Sequence, residues 1–304
     1  MSRMHRFFET SNVVAAYFRT RPKTPPEVAK KAIDFLGKRN AFVEHGKYER
    51  MADVGCGSGQ STEIFAPYFH NVIGVDVSHN QIAMAREKNK TKNVSYMVGA
   101  SEELPFEDES LDLVASGAAV HWFDFKKFSN ECNRVLKPNG SLFLHSYHSF
   151  PPHLGPVDTQ RFSQEQLSRI LESTQIRTRE LKELLPNPPR AKNVFEVFLQ
   201  IYDIIQSAEK TFEPKVCKFV LEQNLDNVAE LLSTWTGYNE YLRRKSLNAN
   251  VQTTQGIVED DILLQYVNDV KKLWGVKDLD NDVINVKVTL KVFAIASARP
   301  KPII

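Results

Sequence analysis

The stretch Met51-Ala-Asp-Val-Gly-Cys-Gly-Ser-Gly59 decides how this chain is read, together with the apolar run Val72-Ile-Gly-Val-Asp-Val-Ser78 that follows it. Met51 to Val54 read as the end of a buried strand. Gly55, Gly57 and Gly59 occupy every second position before the polar start of a helix at Gln60, Ser61 and Thr62. Glycines so placed permit a tight turn and let a ligand lie against bare backbone. About 20 residues on, a second apolar strand ends in Asp76, an acid able to accept hydrogen bonds from both hydroxyls of a ribose. Together the two segments describe an adenosine-type cofactor site on an α/β sheet.

Spacing separates the cofactors. A pyrophosphate fingerprint runs Gly-x-Gly-x-x-Gly, whereas the order here is Asp53-x-Gly55-x-Gly57-x-Gly59. This pattern resembles the class I S-adenosylmethionine (AdoMet) methyltransferases. The resemblance implies AdoMet as cofactor and a Rossmann-like, doubly wound α/β sheet of seven strands, the last antiparallel. A sulfonium cation and an amino-acid end then replace the pyrophosphate, so Asp53, a liability beside NAD, becomes tolerable or useful. It also implies cofactor contacts from Val77 and Gln81, just after Asp76. A dinucleotide loop and a purely structural glycine turn are the competing readings.

The totals agree with an α/β enzyme acting on something small. The 304 residues suffice for one large α/β domain with an added lid, or for two modest domains, and 42% of them are hydrophobic. Lys plus Arg total 39 against 37 for Asp plus Glu, in no long block of either sign, which argues against a nucleic-acid groove or a polybasic membrane anchor. Cys56, Cys132 and Cys217 are widely spaced and form no Cys-x-x-Cys pair, so neither a disulfide framework nor a zinc site is indicated and a cytoplasmic setting is expected. No apolar run approaches the roughly 18 residues of a membrane helix, and no targeting segment is read. Transfer without a metal is expected.

Residues 1–45 are expected to form helices covering the cofactor, with an amphipathic helix within 1–24 and another from Pro25 and Pro26 to about Asn40. The segment Tyr17-Phe-Arg-Thr-Arg-Pro-Lys-Thr-Pro-Pro26 resembles the Tyr-x-x-x-Arg-Pro-x-Tyr-Pro segment of a class I subfamily, the trans-aconitate methyltransferase-like enzymes. Tyr17, Arg21, Pro22 and Pro25 match it, and Thr24 replaces its second tyrosine. The resemblance implies that Tyr17 folds over the cofactor and that Arg21 offers its fork of donors to the methionyl carboxylate. The alternative for Arg21 is a solvated side chain in a proline-rich turn.

Residues 46–150 alternate apolar runs with amphipathic segments, as a parallel sheet with crossover helices requires. Strands are expected near 50–55, 71–77, 93–98, 111–116 and 141–147, and helices near 60–69, 79–89 and 125–137. Val98-Gly-Ala-Ser-Glu-Glu-Leu-Pro-Phe106 resembles the turn beside the adenine in the family. Ala100 replaces the frequent aspartate there, leaving the backbone at Ser101 and Glu102 to read the base, or an exposed acidic turn. Strand 111–116 runs into Gly117-Ala-Ala-Val-His-Trp-Phe123, whose Gly117 and Ala118 would let the methionine portion lie close. His121-Trp122-Phe123 matches the subfamily, as does the turn Arg134-Val-Leu-Lys-Pro-Asn-Gly140. His121 is either the general base and a substrate contact or a satisfied structural histidine, and Trp122 either a pocket wall or core. His145 and Tyr147 fall on one face of the next strand, as substrate contacts or as ordinary strand residues.

Residues 151–210 are expected to form a helical lid, with helices over 160–186 and 194–205. Residues 211–304 complete the sheet with strands near 216–221 and 283–296 and helices over 227–242 and 257–274. Ser233-Thr-Trp-Thr-Gly-Tyr-Asn-Glu-Tyr241 resembles the Ser/Thr-Trp-Ser-x-Tyr segment of the subfamily, which offers Trp235 and Tyr238 on one helix face to a substrate or to the core. The function implied is methyl transfer to a carboxylate or hydroxyl oxygen of a small molecule. A protein or RNA methyltransferase, or an AdoMet-binding fold with other chemistry, is the alternative.

Overall fold

The computed structural model describes residues 23–40, 46–147, 153–186, 194–234, 236–249 and 261–303. The sites expected at Tyr17, Arg21 and Trp235, and the helix expected within 1–24, lie outside these residues.

Five parallel strands, β1 (Tyr48–Val54), β2 (Phe69–Asp76), β3 (Val94–Val98), β4 (Leu111–Gly117) and β5 (Leu136–Tyr147), lie in the order β3-β2-β1-β4-β5. The last strand, β8 (Asn285–Ala298), runs antiparallel beside β5. Alternate residues of each strand enter two separate cores, as two-sided burial demands. Met51, Leu113, Ala115 and Phe143 pack under helix α1 (Pro26–Arg39) and α2 (His79–Lys88). Ala52, Val114, Leu142 and Leu144 pack against α3 (Phe125–Val135) and α5 (Val194–Ile204). The chain reverses its winding direction between β1 and β4, and an open α/β sheet places its ligand crevice at such a point, outside the carboxyl ends of the strands.

The opposite end of the sheet is held by one buried acid. Asp112 accepts the backbone N–H groups of Glu49 and Arg50 and the ammonium of Lys137 at 2.9–3.0 Å, joining β1, β4 and β5. Asp112→Ala leaves two backbone donors and a lysine without their acceptor, so a loss of about 1–3 kcal/mol in a denaturant titration is expected, with AdoMet affinity little changed.

Several sequence expectations are corrected here. Among the described residues the sheet has eight strands, where seven were expected. At the start of the segment expected to be a helical lid, His153–Pro156 form strand β6, whose closing Pro156 has no N–H to give a ladder. The strand expected at 216–221 is β7 (Lys210–Asn224), paired with β8 along most of its length and irregular between Glu213 and Cys217, where Pro214 sits. The helix expected over 60–69 is a 3₁₀ turn at Glu63–Tyr68 interrupted by Pro67. The helix expected over 227–242 is two, α6 (Leu225–Ser233) and α7 (Thr236–Ala249). They part after Ser233 and Thr234, whose hydroxyls bond back to the carbonyls of Glu230 and Leu231.

The two helices expected to form one lid enter different cores. Helix α5 lies on the parallel sheet, with Phe198 and Ile201 buried there. Helix α4 (Gln164–Leu184) joins α6, α7 and α8 (Ile262–Leu273) in a third core built on Val286 and Val288. Its platform is the part of β8 that continues past Val292, the partner of Tyr147 at the carboxyl end of β5. Seven residues, Asn285 to Lys291, extend beyond that end, an overhang of about 20 Å at strand rise. A second hydrophobic unit is thereby cantilevered past the edge at which the glycine loop lies. Among the described residues, no helix is long and apolar enough to cross a membrane.

Candidate active site

The glycine loop leaves β1 and bends back through three residues with positive φ, Gly55 (+72°), Gly57 (+55°) and Gly59 (+86°). The three serve different purposes. A Cβ on Gly55 would strike Ala119 and Phe123, and one on Gly59 would strike the ring of Tyr96. At Gly57 a Cβ would meet nothing nearer than Gln81 Oε1, at 3.8 Å. Gly57 therefore presents bare backbone to open space, while Gly55 and Gly59 admit side chains of the protein itself.

Asp76 closes the loop from β2. One carboxylate oxygen accepts the N–H of Gly57 at 2.9 Å and the other that of Ser78 at 2.8 Å. Ser78 in turn caps α2 by accepting the N–H of Gln81. The capped helix delivers Gln81 to the loop, with its side chain buried and its Oε1 unpartnered; Ser58 Oγ in the loop is likewise buried and unpartnered. Val77 beside them is exposed.

Asp53 faces inward. Its side chain is 1% exposed and accepts the hydroxyl of Thr62 at 2.7 Å. Burial pushes its carboxyl up to about 6, against the lowering effect of that hydrogen bond, with the charge of Asp76 adding to the rise. Tyr96, on β3, lies beneath the loop beside Thr62, and burial raises its phenol. Tyr96 is also the register partner of Gly74 on β2, and Cys56 Sγ comes within 2.9 Å of the point where a Cβ on Gly74 would stand. Asp53, Thr62 and Tyr96 thus form a polar floor under the loop.

Sequence reasoning missed Tyr96 and Thr62. The available signal was a glycine at 74 and a tyrosine at 96 in neighbouring strands, one the size of the gap the other leaves.

Across the crevice, Ala118 holds a left-handed φ of +51° at the end of β4, a strained conformation for a residue with a side chain, and its N–H is bound by His145 O at 2.8 Å. The His145 ring fills the space beside Gly117, its Nε2 2.7 Å from where a Cβ would stand, with Ser61 Oγ at 3.2 Å from the same point. Ser61 is hydrogen-bonded to Thr24, the buried residue three positions after Arg21 in sequence. His145 is 4% exposed, its Nε2 has no partner, and burial lowers its pKa to about 4, so the ring is neutral at neutral pH. Tyr147 packs at the margin of the same core.

The turn Val120–Trp122 places His121 half-buried with its ring 4.8 Å from that of Trp122. Ser101 is buried on the loop after β3, and Glu102 accepts the N–H of Asp124, the residue that caps α3. Tyr238 falls elsewhere. It lies in the core of the overhang, 8% exposed, and donates its hydroxyl to Asp261, the cap of α8, at 2.7 Å. Of its two sequence readings this is the core one.

Residues 52–144, which span the loop, Asp76, the 99–103 turn and His121, match the family described as a methyltransferase domain. Over those residues the chain carries a methyltransferase domain. It is 42% identical to a candidate methyltransferase of Dictyostelium discoideum over 33% of this chain and 37% of that protein. It is 22% identical to a probable S-adenosylmethionine-dependent methyltransferase of Saccharomyces cerevisiae over 92% of each. The first two curated relatives it matches are covered over only 37% and 51% of their lengths. A solved candidate type II methyltransferase from Anaeromyxobacter dehalogenans shares the fold, with TM-score 0.60 and 20% identity over 92% of this chain and 98% of that one.

S-adenosylmethionine is the cofactor named for the yeast relative, and the residues of this chain fit it. The open side of Gly57 is a cradle that a side chain would fill, and the orphaned Gln81 Oε1 and Ser58 Oγ border it. Both carboxylates near the loop, Asp53 and Asp76, suit a ligand bearing positive charge.

Proposed function

We propose that the protein is an AdoMet-dependent methyltransferase acting in the cytosol on a carboxylate or hydroxyl oxygen of a small molecule. The observation that carries this reading is the open backbone at Gly57, tied to Asp76 and bordered by buried polar atoms that lack partners. In the proposed site Asp76 binds the ribose, Val77, Gln81, Ser101 and Glu102 border the adenosine, and Gly117, Ala118 and Arg21 hold the methionyl end under Tyr17. AdoMet supplies an activated methyl group. The residues of the chain have to align the acceptor with it and exclude water, which the overhanging helical unit is placed to do.

Acceptor chemistry divides on the proton. A carboxylate is ionised at neutral pH and needs no base, whereas a hydroxyl does. His121, beside Trp122 at the carboxyl end of β4, is the base in the second case and an orienting group in the first. The subfamily-like segments 17–25 and 121–123 and the balanced charge of the chain favour a small acceptor over a macromolecule.

Calorimetric titration with AdoMet and then with its demethylated product, followed by transfer of labelled methyl into a metabolite extract, tests the reading. One labelled small product supports it, and absence of AdoMet binding overturns it. Asp76→Ala is expected to weaken AdoMet by about 1–3 kcal/mol through lost hydrogen bonds to a charged acceptor; unchanged affinity in the same titration removes its ribose role. His121→Ala should abolish turnover of a hydroxyl acceptor, a loss on the order of 10²-fold or more, with AdoMet affinity retained. Full activity of that variant excludes His121 as base.

A further inference from the structure

Outside the crevice, strand pairing brings together three side chains far apart in sequence. Lys218 of β7 stands directly opposite Lys291 of β8. His153 of β6 is registered with Thr289, the next β8 residue on the same face. All three are exposed, and none forms an ion pair with an acid among the described residues. They lie where the overhang begins, one residue past the β8 partner of Tyr147.

Like charges directly opposed on a sheet cost stability. Guarding an edge explains Lys218, since β7 pairs with β8 alone among the described strands. It does not explain Lys291, which faces Lys218 on one side and on the other lies between the β5 pairing that ends at Val292 and the β6 pairing that begins at Thr289, inside the sheet and not along its edge. On the opposite face of the same strand Val286, Val288 and Leu290 are fully buried, so the backbone carrying these charges is held in place. Val220, registered with Thr289 between the two lysines and the Glu222–Lys287 pair, is 42% exposed, so this part of the face is left uncovered.

We propose that Lys218, Lys291 and His153 form a binding site for a multiply charged oxyanion of a small molecule, a phosphate group or clustered carboxylates. Opposed residues hold their Cβ atoms about 5 Å apart, so two flexible ammonium stems converge on one group with several acceptor oxygens. A single carboxylate neutralises one of them, and a divalent group neutralises both. The histidine reports on the charge beside it: burial, then Lys291 and Lys218, lower its pKa, and a bound anion opposes the two lysines. The other charged groups on this face are Lys287 of β8 and Glu222 of β7, which are register partners and offset each other.

The site rests on strand register and stands apart from the methyl-transfer reading. The test follows the His153 ring signal by NMR across pH in the full chain, with inorganic phosphate or citrate added at ionic strength held constant with sodium chloride. A saturable rise in the His153 titration midpoint is expected with at least one of the two, and which of them acts identifies the group. The K218E/K291E double variant, and K291Q alone as the milder change, should lose saturation while keeping AdoMet affinity, with no loss of melting temperature in either and a rise in K291Q, which relieves the opposed charges. A shift no larger than chloride produces, or saturation that survives in K218E/K291E, overturns the site.

Discussion

Gly59→Ala is expected to lower stability by about 2–5 kcal/mol, the sum of a left-handed backbone cost and an overpacking cost. The backbone at Gly59 has φ of +86°, and its absent Cβ would stand 2.7 Å from Tyr96 Cζ and 2.9 Å from Cε1, with the hydroxyl nearer still. The ring has little room to give, being 6% exposed and packed over Gly74 as well. Pairing the change with Tyr96→Ala removes the collision but not the backbone strain. The double variant should therefore be more stable than the sum of the singles predicts, by about 1–3 kcal/mol in a denaturant cycle. Additive losses would show that Tyr96 is not what Gly59 accommodates. Gly57→Ala is the contrast. With open space beside it, this change should cost only the backbone term, about 1 kcal/mol, and act chiefly on AdoMet affinity in calorimetry.

That contrast marks where the sequence stopped being informative. Three glycines at alternate positions announced a loop and a class of cofactor, because only glycine serves a chain turning that tightly. They did not announce that two of the three make room for Phe123 and Tyr96, since those partners come from other strands and turns. The five parallel strands were legible from apolar runs bounded by helices, and the inner ones, β1, β2, β4 and β5, are buried on both faces over their apolar runs, as such runs imply. The overhang was not. Its strand β6 hides between prolines, and the first residues of β7 are polar or charged around Pro214. Nothing local to residues 153, 218 and 291 says that they share one face. Tyr238 stayed open between two readings for a related reason: an aromatic at helical spacing has the same signature whether it faces a substrate or, as here, Asp261 within a core.

The acid stability profile should separate two buried groups with opposite signs. His145 has its pKa lowered from 6.5 to about 4 by burial. Between these values the unfolded chain holds a proton that the folded chain refuses, so its contribution is full above pH 6.5 and is lost as pH falls toward 4. Asp53 has its pKa raised from 3.8 to about 6, chiefly by burial. In nearly the same window the folded chain holds the extra proton, so the cost of burying this carboxylate, full above pH 6, is relieved as pH falls toward 3.8. Each shift corresponds to about 3 kcal/mol at 1.36 kcal/mol per unit, and in the native protein the two nearly cancel. His145→Gln should therefore become more stable relative to the native protein as pH drops from 6.5 to 4, and Asp53→Asn less stable over the same range. The double variant should run parallel to the native profile, apart from a constant packing offset. Denaturant titrations at half-unit pH intervals read these differences directly, and the remaining carboxylates drop out of the comparison because all four proteins share them. If the single variants track the native profile, neither group carries the linkage. If only His145→Gln departs, the Asp53 carboxyl is stabilised beneath the loop by more than its bond to Thr62.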